Sequence, residues 1–287
     1  MSSKSDAQAQ ELVDRAQVAQ QQGDAELAES LLKEAVRVSP GSAENYRGLA
    51  QLHMERRDID GAVEHLRRSL QADPNDPLTH FHLAQVLFHR GEYDEADSSL
   101  SKVLQLDPSH GAALMLKGAL AERQGRGQVA LAAYHQVLAA EPDNVEARLR
   151  VAGIHLRSEK PENAAHVLRS ICQCPYATQQ EKCDAQWRLG KAYGRQERWS
   201  KAAESISAAL KTKPQPTADD WYELADAWYR AGDPHQAHTA IRHALELEPQ
   251  HANSIALAQH LTGPVRTPAQ ADVIQHAEHQ AKRIKNR

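Results

Sequence analysis

Prolines at 40, 74, 108 and 142 stand 34 residues apart, three of them behind an acidic residue in DPND, DPSH and EPDN, and Pro214 and Pro249 continue the series at a spacing of 35. A period of this length marks a repeat array, in which each unit is one supersecondary element unable to bury its own apolar face. Stacked neighbours then share a continuous core, so the repeat dictates the fold.

Numbering each unit 1 to 34 with Pro at position 32 brings further columns into register. Position 8 is small: Ala16, Ala50, Ala84, Gly118, Ala152, Gly190 and Ala225. Position 20 is alanine throughout: Ala28, Ala62, Ala96, Ala130, Ala164, Ala202 and Ala237. Position 24 is large: Leu32, Leu66, Leu100, Tyr134, Leu168, Ile206 and Ile241. Small residues at 8 and 20 let two helices approach closely, and the large one fills the space beside them. Turn stretches such as RGEYDE and RAGDPH separate two helical patterns within each unit, and the Asp-Pro or Glu-Pro step ends the second.

These columns resemble the tetratricopeptide repeat, or TPR, family. The seventh unit matches its pattern best, with Trp221, Leu224-Ala225, Trp228, Gly232, Ala237, Ile241, Ala244 and Pro249; the first and fourth depart from it at Arg15 and Lys117. The resemblance implies an all-α fold, a right-handed α-solenoid of antiparallel helix pairs. The expected organisation is a disordered stretch at 1–8, then seven units at 9–42, 43–76, 77–110, 111–144, 145–182, 183–217 and 218–250. Capping helices with a basic KRIKNR tail would complete the chain at 251–287, one of them starting at the capping box Thr267-Pro268-Ala269-Gln270.

All three cysteines fall in ICQCPYATQQEKC, residues 171–183, which reads as an expanded inter-repeat connection with Cys183 opening the next helix. Cys172 and Cys174 form a Cys-x-Cys pair without the Cys-x2-4-Cys reach of a zinc site, and the nearest histidine, His166, faces elsewhere on a helix. Buried or incidental thiols are the expectation, although a helix N-terminus lowers a thiol's pKa and so singles out Cys183. An odd thiol count, no signal peptide and no membrane-length apolar run point to a cytoplasmic protein.

There is no phosphate loop, HExxH zinc motif, GxSxG elbow or calcium loop, so no enzyme, cofactor, metal or small-molecule substrate is expected. The pairs His235/His238 and His276/His279 have chelating spacing but no further ligands, and read as solvated faces. A formal charge of −4 argues against a nucleic-acid or anionic-membrane surface, which would be basic.

In the family, positions 2, 5, 9, 12 and 13 of the first helix face a concave groove. Position 5 carries Phe81, Met115, Leu149, Trp187 and Tyr222 over units three to seven, and position 13 carries Arg123, Arg157, Arg195 and Arg230 over units four to seven. Arg150 and Arg188 add charge at position 6. Apolar anchors beside guanidinium groups suit an acidic, partly hydrophobic protein segment. Each column also has a structural reading, as a seal between repeats and as cations at a helix C-terminus. Chaperone-tail binders of the family use Lys at position 5 and Asn at 9; no unit here has either, so that function is not implied. The expectation is a non-enzymatic interaction scaffold, with self-assembly, or nucleic-acid or membrane binding through the arginines and basic tail, as alternatives.

Overall fold

The structure, a computed structural model, describes residues 2–261. Among them the fold is all-α. In the first compact unit, Met1–Pro142, α1 (Ser2–Gln21) pairs with α2 (Ala25–Val38), and α3 (Ala43–Glu55) with α4 (Ile59–Ala72). There too α5 (Pro77–Arg90) pairs with α6 (Tyr93–Leu106), and α7 (Gly111–Arg123) with α8 (Gly127–Ala140). The second unit, from Asp143, pairs α9 (Val145–Arg157) with α10 (Pro161–Gln173), and α11 (Gln179–Arg195) with α12 (Trp199–Leu210). It ends with the pair α13 (Ala218–Arg230) and α14 (Pro234–Leu247), against which α15 (Ala252–Leu261) packs. Within each unit every pair stacks on the next, as an α-solenoid requires.

The repeat columns become the core. All seven position-20 alanines are buried. Where position 8 is glycine, position 24 uses the space: a Cβ on Gly118 would fall 2.4 Å from the Tyr134 ring, and one on Gly190 2.5 Å from Ile206. Tyr134 is fully buried, and its hydroxyl donates to Glu122 at 2.7 Å.

The turn inside each unit always places position 15 in the left-handed region. Gly23, Gly91, Gly125 and Gly232 adopt φ of 72–86° there, but Arg57, Glu159 and Glu197 adopt 54–60°. A Cβ makes that conformation costly, so three turns carry local strain that four do not.

Two expectations are corrected. Residues 1–8 were expected to be disordered, but α1 begins at Ser2; Asp6 accepts a 2.9 Å hydrogen bond from Ser39 and Ala9 is buried, which ties this stretch to α2. Cys183 does not open its helix. Thr178 and Glu181 form a capping box that starts α11 at Gln179, so the expansion is largely an extra helical turn and the connection is confined to 174–178. The basic tail and the Thr267 capping box lie outside the described residues.

Candidate functional site

Position-5 side chains reach forward to the connection or cap of the next repeat. In the first unit Arg47 pairs with Asp76 at 2.5 Å, and Phe81 packs on His110 with ring centroids 5.1 Å apart. In the second, the Trp187 ring lies 5.1 Å from the Lys213 ammonium and 5.7 Å from that of Lys191, and Tyr222 packs on His251 at 5.8 Å. Three of the partners are helix starts: Asp76 caps α5, His110 caps α7, and His251 Nδ1 accepts from the Ser254 amide at the start of α15. A seal between repeats is therefore part of what this column does. The seal is incomplete, since Phe81, Met115, Leu149, Trp187 and Tyr222 are all only half-buried.

Charges at these seals are held by their surroundings. Burial opposes ionisation of Asp76, but the Thr79 hydroxyl, the Arg47 guanidinium and the Leu78 amide outweigh it and hold its pKa below the usual range. Asp220, near Trp187's partner Lys213, behaves alike: burial is outweighed by Lys213 and by Thr217.

Arginines at or next to position 13 reach backward instead. Arg56 donates to the Ala25 carbonyl and Arg90 pairs with Asp60, each in the preceding repeat of the first unit. In the second unit Arg195 donates to the Leu156 carbonyl at the end of α9. Arg230 bonds Asp226 at 2.8 Å and lies 4.8 Å from the Trp199 ring. All four arginines of the column are exposed, and Arg195 and Arg230 brace neighbouring repeats.

Two cavities of the second unit bring several of these residues together. Arg157 and Arg195 line one of about 520 Å³ with Leu156, Glu159 and Pro161. A second, of about 390 Å³, opens between α11, α12 and α13, where Lys191 and Arg195 meet Trp199, Tyr222, Glu223 and Asp226. Sequence reasoning missed Lys191, Trp199 and Lys213. Lys191 lies one turn after Trp187 and was legible as a face-sharing residue; Lys213, 26 residues on, meets it only through the fold.

The reactive-looking groups are closed off. His251 links Ser254 and Asp219, at 2.8 and 2.9 Å, in the order of a catalytic triad. Ser254 is fully buried, however, and the imidazole serves as a helix cap. Cys183 is buried and donates to the Ala209 carbonyl at 3.4 Å, Cys174 is buried, and burial pushes the Cys172 thiol up. Among the described residues no three His, Cys, Asp or Glu side chains gather to hold a metal, and no helix is long and apolar enough to cross a membrane.

Three tetratricopeptide repeat family models match the chain, over residues 53–120, over 13–77 with 117–177, and over 218–251. Among solved structures, a tetratricopeptide repeat protein from Parabacteroides merdae is 17% identical over 90% of this chain and 100% of its own, with a TM-score of 0.60. The C-terminal part of a TPR repeat-containing protein from Cytophaga hutchinsonii is 12% identical, with a TM-score of 0.73 over 85% of this chain and 98% of its own. YrrB, described as a TPR protein with an unusual peptide-binding site, is 17% identical over 69% of this chain and 100% of its own, at 0.58. At such identities the likeness concerns fold. No curated protein matches. With its columns, its helix pairs and these matches in agreement, the chain belongs to the tetratricopeptide repeat family.

Proposed function

We propose that the protein is a non-enzymatic scaffold that binds a protein segment along the first-helix faces of its repeats, with the second unit as the main contact. The observation that carries this is the cleft between α11 and α13, where Trp199 and Tyr222 offer ring surface beside Lys191 and Arg195. Large rings bring contact area at low entropic cost, and cations beside them orient an acidic segment. YrrB, a protein of the same fold with an unusual peptide-binding site, points the same way. A cytoplasmic setting suits three thiols free of disulfides.

The test is partner capture by the wild-type chain and by Arg157→Glu/Arg195→Glu. Helical content should be unchanged, with a stability change of about 2 kcal/mol at most, because both arginines are exposed and Arg195 gives up one hydrogen bond to the Leu156 carbonyl. Partner affinity should fall about tenfold or more, since charge-assisted interface contacts commonly exceed 1.4 kcal/mol. Equal binding by the double variant would overturn the acidic-segment reading. In the companion variant Trp187→Ala, a contact residue weakens binding more than folding, whereas a pure seal does the reverse.

A further inference from the structure

α3 and α4 of the first unit carry a histidine pair that the proposed binding face does not include. His53, near the end of α3, and His65, on α4, are both half-buried, with ring centroids 5.0 Å apart and planes tilted by 36°. His53 Nδ1 lies 2.7 Å from Asp58 Oδ2. An ionised carboxylate only accepts, so Nδ1 carries the proton and the lone pair of the neutral ring sits on Nε2. Asp58 is held from its other side, where Oδ1 accepts from the Gly61 amide at 3.0 Å as the N-cap of α4. Glycine leaves the room this needs, since a Cβ at 61 would fall 2.5 Å from both Asp58 Oδ2 and His53 Nδ1. On His65, Nδ1 is buried without a hydrogen-bond partner, which leaves Nε2 as the nitrogen a ligand can reach. Burial, aided by His53, holds the pKa of His65 below the usual imidazole value and so favours the neutral ring. Of the other charged groups around it, Arg68 pairs with Glu64 at 2.7 Å and Lys33 with Glu29 at 2.6 Å.

We propose that His53 and His65 together bind a first-row divalent transition-metal ion of the zinc, nickel or copper kind, with Asp58 as the orienting carboxylate behind His53. Neutral imidazole is the ligand these ions favour. Two imidazoles on one ion, each bonded at about 2.0–2.1 Å, have centroids on the order of 5 Å apart, as this pair has. A ligating histidine ordinarily gives its other N–H to a carboxylate, which fixes the tautomer and raises the ring's basicity; Asp58 does this for His53. With two protein ligands the ion keeps solvent in its remaining positions, so the site is of modest affinity. Its ligands come from both helices of one repeat, and occupancy therefore ties α3 to α4. The site is independent of the binding face in the second unit.

The test is calorimetric titration of the full chain with zinc chloride, read at the tightest equivalent because the chain's 16 histidines offer weaker sites as well. His53→Gln and His65→Gln each remove a ligand and should abolish that equivalent, whereas His235→Gln, in the second unit, should leave it intact. Asp58→Asn keeps a good helix cap but loses the carboxylate, and should weaken zinc by about 10–100-fold. Gly61→Ala leaves all three side chains in the sequence and should weaken zinc as well, by displacing the His53–Asp58 contact. Melting temperatures without zinc establish that each variant is folded. Zinc should raise amide-exchange protection in α3 and α4 of the wild-type chain and leave it unchanged in His53→Gln. A tightest equivalent that survives His53→Gln or His65→Gln, or one that His235→Gln removes equally, overturns the site.

Discussion

Two kinds of seal join successive repeats at the same position: a polar one at Arg47 in the first unit, and aromatic ones at Phe81 in the first and at Trp187 and Tyr222 in the second. In the first, Arg47 reaches forward into a polar network: Asp76 accepts from Arg47 and Thr79, Thr79 meets Ser69 at 2.9 Å, and Ser69 donates to the Ala43 carbonyl at 2.7 Å. In the second, Trp187 and Tyr222 reach forward as rings against Lys213 and His251. A satisfied polar network is specific, but its hydrogen-bonding capacity is consumed internally. A ring seals with one face and edge while leaving the remainder available, and an aromatic beside cations is typical interface chemistry. The aromatic seals, Phe81 included, can thus serve as contact surface, while the Arg47 seal is spent on holding repeats together.

Removing Asp76 should have the largest consequence. Asp76→Ala deletes a helix cap and strands Arg47, and should cost roughly 2–4 kcal/mol. The counterpart Tyr222→Ala removes a half-buried ring and should cost roughly 1–3 kcal/mol. Unit-resolved amide exchange during urea unfolding separates the two, with each loss appearing in its own unit first. A larger loss from Tyr222→Ala than from Asp76→Ala would show that the aromatic column is primarily structural.

Acid should distinguish the units next. Burial lowers the pKa of His65, aided by His53, and that of His82, aided by Arg47, both in the first unit; in the second it lowers His238, aided by Arg242 and His235. A histidine with a depressed folded pKa binds fewer protons when folded, so stability falls as pH drops below its unfolded value of about 6.5. Exchange protection in the first unit, with two such histidines, should therefore decline more steeply than that in the second between about pH 6.5 and 5, and His65→Gln with His82→Gln should flatten the decline. A decline in the first unit that the two substitutions leave unchanged would reject this assignment. Below about pH 4 the depressed carboxyls of Asp76 and Asp220 protonate as well, and both units should weaken.

The smallest expected effect concerns the turns. Arg57→Gly in the first unit, and Glu159→Gly or Glu197→Gly in the second, should each stabilise by about 0.5–1 kcal/mol by relieving left-handed backbone. Thermal unfolding of the single variants measures it. No gain at any of the three would mean that these turns are unstrained.

The fold was legible because its determinants recur at fixed spacing along the chain: the alanines at position 20, the large residues at 24 and the proline step each state a local packing rule seven or nearly seven times. Thr178-Gln-Gln-Glu181, an S/T-x-x-E cap, was equally readable and would have placed the start of α11 correctly. The left-handed turn was half hidden, since Gly23 announces it and Arg57 does not; backbone geometry imposes the conformation whichever residue is present. The candidate site divides along the same line. The resemblance to the family put Trp187, Tyr222 and the arginines on one face. Whether a guanidinium on that face meets a backbone carbonyl, as Arg195 does, or an aromatic ring, as Arg230 does, depends on a neighbouring helix some 30 residues distant. Periodicity describes one helix at a time; a side chain's partners come from the packing of one repeat on the next, which only the tertiary structure decides.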